Sequence, residues 1–204
     1  METNIFVYDI EKIQDKLKKD IDKGRYEHTI GVMYTAASMA MAHGYDIHKA
    51  QVAGLLHDCA KCIPNDKKLK LCKKNCIQMS EVEQENPVLL HGKLGAYVAD
   101  KKYDVSDPEI LSAITYHTTG KPNMSMLDKI IFIADYIEPL RFKQKNLIEI
   151  RKLAFSDLDE CMYVILRDTL AYLKTNPKTV DPTTSQAFAY YEAIHINKEE
   201  NKHE

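Results

Sequence analysis

Apolar residues recur at three- and four-residue spacing along most of this chain, and that period predicts helix rather than strand. Ile10, Ile13, Leu17 and Ile21 form one stripe in a Lys, Asp and Glu background, with Gly24 as its expected end. A second helix is expected over about residues 26–43, through Val32, Ala36 and Met39, with Gly44 as a left-handed stop. Asp46 then caps a third, about 47–61, which carries Val52, Leu55, Leu56 and Cys59 on one side and His57 and Asp58 in its last turn. Pro64 closes it by steering its predecessor away from helix.

From Pro64 to Asn86 the pattern weakens. Only Leu69, Leu71 and Cys72 interrupt the polar residues 67–74, so a mobile segment with a solvated Lys face is expected there. The period recovers with His91 near a helix start and Leu94, Tyr97 and Val98 behind it. Asp107 and Pro108 open the next helix, which reaches His117 and stops at Thr-Thr-Gly-Lys-Pro. Ser125 with Asp128 three residues on forms a capping box for residues 126–137, placing Asp135 in the last turn. Two further helices are expected at about 157–175 and 183–197.

Composition supports an all-α single domain. Gly and Pro number seven each and Trp is absent, too little punctuation for many short strands. At 204 residues and 45% hydrophobic content, residues 1–204 can fold around one core, with the C-terminal helices, about 157–197, packed against it. The 28 basic and 30 acidic side chains nearly cancel, which argues against nucleic acid or an acidic membrane as a partner. Neither a signal sequence nor a run of roughly 18 apolar residues is present, so a soluble cytoplasmic protein is expected. The five cysteines, odd in number, read as reduced thiols. Cys59-x2-Cys62 and Cys72-x3-Cys76 lie too close together for the usual paired-cysteine zinc spacings.

The histidines change the picture from fold to chemistry. Of eight, His28, His57, His91 and His117 fall at expected helix ends, as do Asp58 and Asp135. Imidazole mixed with hard carboxylate oxygen suits iron, manganese or zinc. Neighbours on a helix point about 100° apart, so of His57 and Asp58 one cannot simply pack while the other is solvated. Two ionisable groups in a turn built from Leu55, Leu56 and Cys59 cost several kcal/mol unless paired or ligated. Metal offsets that cost, and an ion pair of Asp58 with Lys61 one turn on is the alternative.

These residues carry a resemblance. The order His28, His57-Asp58, Asp135 resembles the H…HD…D signature of HD-domain phosphohydrolases. The strings Arg25-Tyr-Glu-His28-Thr, Gly54-Leu-Leu-His57-Asp58-Cys-Ala-Lys61, Leu90-His91-Gly92, Tyr116-His117-Thr118-Thr119-Gly120 and Ala134-Asp135-Tyr-Ile-Glu-Pro139 are similar to the bacterial YqeK-like branch, over nearly the whole chain. The resemblance implies a single-domain HD-type helical bundle that splits diadenosine tetraphosphate symmetrically into two ADP with bound iron. It implies His28, His57, Asp58 and Asp135 as ligands of one metal, His91 and His117 as completing a second, and Asp58 as the bridge. The chain departs from the family pattern at Cys59, Cys62 and residues 67–74, which touches no implied ligand.

Such a centre suits a polyphosphate, whose negative charge repels hydroxide. Two metals about 3.5–4 Å apart lower the pKa of a bridging water and neutralise the phosphate. Asp58 and Lys61 are then the catalytic candidates, with Lys61 stabilising the leaving ADP. Arg25, Lys61, His117, Thr118, Thr119 and Arg141 are the expected substrate contacts, Arg141 as a bidentate phosphate clamp and the threonines through hydroxyl and backbone amide. Surface ion pairs and a plain helix stop are the bland alternatives for these residues, and Glu138 is either a partner orienting a ligand histidine or a solvated charge. The expected partner is a small nucleotide: a dinucleoside polyphosphate, or ADP or GDP as product or analogue. Manganese or another divalent ion can replace iron on these ligands, and a homodimer through the apolar C-terminal helices stays open. Two other functions compete: an HD phosphohydrolase for another nucleotide, and a non-catalytic, metal-dependent nucleotide-binding regulator.

Overall fold

A computed structural model describes residues 8–144, 146–175 and 180–201. Among the described residues the secondary structure is helical: α1 (Ile10–Asp20), α2 (Lys23–Ala42), α3 (Ile47–Leu56), α4 (Asn65–Lys74), α5 (Glu81–Glu85), a 3-10 turn (Pro87–Leu90), α6 (His91–Tyr103), α7 (Pro108–Tyr116), α8 (Met126–Ile137), α9 (Leu147–Leu153), α10 (Leu158–Thr175) and α11 (Pro182–Glu200). No described helix is long and apolar enough to cross a membrane.

Local chemistry sets most boundaries. Asp9, Asp22, Asp46, Asp107 and Asp181 each accept a backbone N–H at the first turn of their helices, satisfying a donor that has no partner within the helix. The Ser125/Asp128 box opens α8 as expected, and Ser80 with Glu83 makes a second one at α5. Gly24 does not end α1; the helix stops at Asp20 because Asp22 already caps α2, which places Gly24 inside α2.

The principal core joins α1, α2, α3, α6, α7, α8, α9, α10 and α11, and its fully buried members include Leu17, Val32, Leu55, Ile114, Leu127, Ile131 and Ile165. The helices α10 and α11 contribute Leu158, Cys161, Met162, Ile165, Leu166, Ala187 and Tyr191 to this core. The most extensive packing is between α2 and α3. There Gly54 lies so close to α2 that a β-carbon would sit 2.9 Å from the Met33 Cα, and this approach brings His28 and His57 to one place.

Residues 64–86 are more ordered than expected. They form α4 and α5, and α4 joins a second, smaller cluster of Ala60, Cys72, Leu90 and Leu94, with Leu69, Leu71 and Ile77 against it. Lys68 is buried, its ammonium donating to Asn65 Oδ1 at 3.2 Å, so the Lys segment is not wholly a solvated face. The third helix ends earlier than expected, at Leu56, leaving residues 57–62 in consecutive turns. The short α9 was absent from the apolar pattern because only Ile150 is buried in it, while Ile148 is exposed.

Candidate metal centre

Three of the four motif histidines owe their orientation to a helix end. The last carbonyls of a helix have no partner within it. His57 Nδ1 donates to the Gly54 carbonyl at 2.6 Å, His91 Nδ1 to Val88 at 2.5 Å and His117 Nδ1 to Ile114 at 2.7 Å, each three residues back. A carbonyl only accepts, so the proton sits on Nδ1 and each Nε2 presents a lone pair. His28, inside α2, reaches the same state differently: its Nδ1 donates to the carboxylate of Glu138 at 3.0 Å.

All four Nε2 atoms point into one cluster with Asp58 and Asp135. Asp58 stands between two groups of nitrogens. Its Oδ2 lies 3.9 Å from His28 Nε2 and 3.5 Å from His57 Nε2, while its Oδ1 lies 3.3 Å from His91 Nε2 and 3.4 Å from His117 Nε2. Asp135 Oδ1, from the last turn of α8, is 3.0 Å from His28 Nε2 and 3.9 Å from His57 Nε2. His28, His57, Asp58, His91 and His117 are all buried, and Asp135 is half-buried.

Such a convergence of acceptors is unfavourable without a cation. His28 Nε2, His57 Nε2 and Asp58 Oδ1 are buried with no hydrogen-bond partner, and a buried polar atom left so costs about 1–3 kcal/mol. His91 and His117 face each other Nε2 to Nε2 at 3.0 Å. Two nitrogens bonding one cation at right angles, each at about 2.1 Å, stand about 3.0 Å apart. The donor set therefore fits divalent metal, and three overlapping triads offer ligand atoms within 4.8 Å of one another: His28, His57 and Asp58; His57, His117 and Asp135; and Asp58, His91 and His117. No cysteine belongs to these triads: Cys59 and Cys72 are buried in apolar surroundings, and Cys62 and Cys76 are exposed.

Electrostatics favour the forms of these side chains that could hold a cation. Burial would raise the Asp58 carboxyl, but the imidazoles of His57 and His117 outweigh it and hold the group well below the ordinary carboxylate range. Burial likewise opposes ionisation of Asp135, and His28 and His57 reverse it, leaving a lowered value. His91 is pushed down to about 3, first by burial and then by its neighbours His117 and Lys61, so it is a neutral base at physiological pH.

Residues 25–140 match the HD domain. This chain belongs to the HD-domain family. It is 37% identical over 168 residues to the symmetrical bis(5'-nucleosyl)-tetraphosphatase of Bacillus subtilis (strain 168), covering 82% of this chain and 89% of that protein. It is 33% identical over 184 residues to the protein of the same name from Staphylococcus aureus (strain NCTC 8325 / PS 47), covering 89% of this chain and 94% of the relative. A crystal structure of a predicted HD superfamily hydrolase involved in NAD metabolism from Clostridium acetobutylicum superposes with a TM-score of 0.88 at 37% identity, over 92% of this chain and 98% of that one.

Around the ligand cluster of this HD domain runs a cationic rim. Arg25 donates to Asp58 Oδ2 at 2.7 Å, Arg141 to Asp135 Oδ1 at 2.6 Å, and Lys61 to His91 Nε2 at 3.0 Å. The three side chains are 28%, 33% and 29% exposed, so each touches the buried cluster and solvent at once. Lys61 does approach Asp58, as the ion-pair alternative required, but only to 3.8 Å. Thr118 Oγ1 is 3.0 Å from His91 Nε2, whereas the Thr119 hydroxyl donates to the Gly120 carbonyl. Both threonines border a cavity of about 150 Å³ that Glu83, Lys93 and Asp181 also line.

Glu138 resolves as the partner of a histidine and not a solvated charge. It is buried, takes His28 Nδ1 on Oε1 and accepts the Leu140 N–H on Oε2 at 2.7 Å. The sequence offered only its position three residues beyond Asp135. Glu138→Gln is expected to lower metal affinity by roughly 10- to 100-fold with the fold intact, read by metal analysis and a thermal melt. Unchanged affinity would reduce Glu138 to a packing residue.

Proposed function

We propose that this chain hydrolyses diadenosine tetraphosphate symmetrically to two ADP, using divalent metal held by His28, His57, Asp58, His91, His117 and Asp135. The observation that carries the reading is the convergence of four imidazole lone pairs and the two aspartates on one buried point under a cationic rim. The names of the B. subtilis and S. aureus relatives supply the substrate. Iron is the proposed native metal and manganese its alternative, the whole chain acting as one cytoplasmic domain.

When bound, divalent metal supplies Lewis acidity and lowers the pKa of water. Everything else falls to the chain. Asp58, with one oxygen toward each group of histidines, would hold metal on both sides and could take the proton of the attacking water. Water oxygen joins one inner phosphorus, the central P–O–P bond breaks, and the bridging oxygen leaves with the second ADP. Lys61 at the rim neutralises that leaving oxygen, and Arg141 and Arg25, each already aimed at a carboxylate of the cluster, turn their remaining N–H groups to the phosphates. The 150 Å³ cavity beside Thr118 is where one nucleoside end can lie, since its carboxylates accept from hydroxyl and amino groups.

The test is product analysis with iron- or manganese-loaded protein: ADP alone is expected, and AMP with ATP, or no turnover, rules the reading out. Turnover of a deoxynucleoside triphosphate or a mononucleotide in the same panel, without the dinucleotide, would favour another phosphate substrate. Tight ADP or GDP binding with no turnover would favour a regulator. Lys61→Ala is expected to retain metal while kcat falls on the order of 100-fold; metal analysis beside steady-state kinetics reads both, and loss of metal would make Lys61 structural.

A further inference from the structure

The two halves of the cluster are not alike. Around Asp58 Oδ2 lie His28, His57 and Asp135, so two carboxylates face that half, and a third, Glu138, backs His28. Around Asp58 Oδ1 lie His91 and His117 with no further carboxylate in contact. The hydrogen-bonding also differs. His28 Nε2 and His57 Nε2 are buried with no hydrogen-bond partner, whereas His91 Nε2 accepts from the Lys61 ammonium at 3.0 Å.

An imidazole nitrogen has one lone pair, and a carboxylate oxygen has two. Arg25 on Asp58 Oδ2 and Arg141 on Asp135 Oδ1 therefore leave those oxygens a second lone pair for a cation. On His91 nothing is left: its nitrogen has the Lys61 ammonium and the Thr118 hydroxyl each at 3.0 Å, and it bonds one of these or a metal, never both. The same ammonium is 3.8 Å from Asp58 Oδ1, the other ligand atom of that half. It sits where a second cation would have to bind.

We propose that the six side chains make two unequal cation positions, one tight at His28, His57, Asp58 and Asp135, and one weak at Asp58, His91 and His117, where the Lys61 ammonium is the resident cation until a metal displaces it. This rests on the metal reading of the centre given above, and not on the identity of the substrate. Free lone pairs set the order of loading: the carboxylate oxygens of the tight half keep one beside the Arg25 and Arg141 guanidinium groups, and His91 keeps none beside the ammonium. Lys61, on a flexible stem at the rim and 29% exposed, can leave His91 without any movement of backbone. Loading the second position then also delivers the ammonium to the mouth of the site, where a phosphate would meet it.

Metal-stripped full-length protein titrated calorimetrically with Mn²⁺, alongside metal analysis after desalting, tests this directly. Wild-type protein is expected to keep one equivalent through desalting and to bind a second at least about 100-fold more weakly. Lys61→Met, similar in length but uncharged, is expected to tighten the second binding at least about tenfold and to leave the first unchanged. Lys61→Gln, which leaves a weak donor near His91, should fall between them and serves if the Met variant does not fold. His91→Ala should remove only the second equivalent. Two equivalents of equal affinity in the wild type, or a second affinity that stays the same or weakens when Lys61 is neutralised, would overturn the proposal. Two unequal equivalents without hydrolysis of the dinucleotide would sink the substrate assignment alone, and no Mn²⁺ binding at all would sink the metal centre with it.

Discussion

Asp58→Ala is expected to strip the protein of metal and to lower turnover of diadenosine tetraphosphate by at least about 1000-fold. Asp58 is the one side chain whose two oxygens face both groups of histidines, at 3.5 Å from His57 and 3.3 Å from His91. Without it, imidazoles converge with the single remaining carboxylate of Asp135, which Arg141 already engages, and Arg25 and Lys61 lose their counter-charge. A divalent cation is then repelled by the groups that once surrounded its anionic bridge. Loss of Lewis acidity worth several kcal/mol corresponds to the stated factor. Metal analysis of the purified variant gives the answer before any kinetics, and full occupancy there would show that Asp58 is not a ligand. Asp58→Asn separates charge from shape: it keeps the oxygen but not the ionised group, and is expected to bind metal weakly rather than not at all.

Most of the candidate site was legible because all of its side chains except His28, which lies inside α2, sit near helix ends and the ends left marks. Gly44 before Asp46, Asp107 with Pro108, and Ser125 with Asp128 are cap chemistry, and His57, His117 and Asp135 fall within a turn of helix termini that the apolar period already placed. What the string did not contain is direction. That His57 and His117 cap α3 and α7 through Nδ1, and His91 the 3-10 turn before α6, and so turn Nε2 to the centre, follows from carbonyls three residues back and needs the bent backbone to be seen. The contact of Arg25 with Asp58 spans 33 residues and that of His28 with Glu138 spans 110; spacing cannot report either.

Residues 64–86 were misjudged for a related reason. Their apolar residues are few, and they do not face the main core, which is what helical periodicity detects. Cys72, Leu69 and Ile77 instead close over Leu90 and Leu94, so the segment's burial depends on a partner 13 to 25 positions along the chain. The early stop of α3 at Leu56 matters more for function. Had helix continued through Lys61, the Asp58 N–H would have taken the Gly54 carbonyl that His57 now caps, and the imidazole would have lost the bond that aims it.

Gly92→Ala is the second large effect, and it acts on the backbone rather than on a ligand. Gly92 follows His91 at the start of α6, where α6 runs against α7. A β-carbon there would lie 2.5 Å from the Thr115 carbonyl oxygen and 3.3 Å from its carbon, a contact that no rotamer can relieve because both atoms are main chain. The helices must separate, and the residues they carry separate with them: His91 one position before the glycine, and His117 two positions after Thr115, now Nε2 to Nε2 at 3.0 Å. Overpacking of this kind costs about 3 kcal/mol, which in a domain of this size lowers Tm by about 6–12 °C. The variant is expected to melt earlier and, when folded at low temperature, to bind metal only through His28, His57, Asp58 and Asp135. That combination distinguishes it from His91→Ala, which removes the same ligand while leaving the α6–α7 contact in place. A wild-type Tm in Gly92→Ala would show that the two helices can part freely, and that the 3.0 Å approach of the imidazoles is not set by their packing.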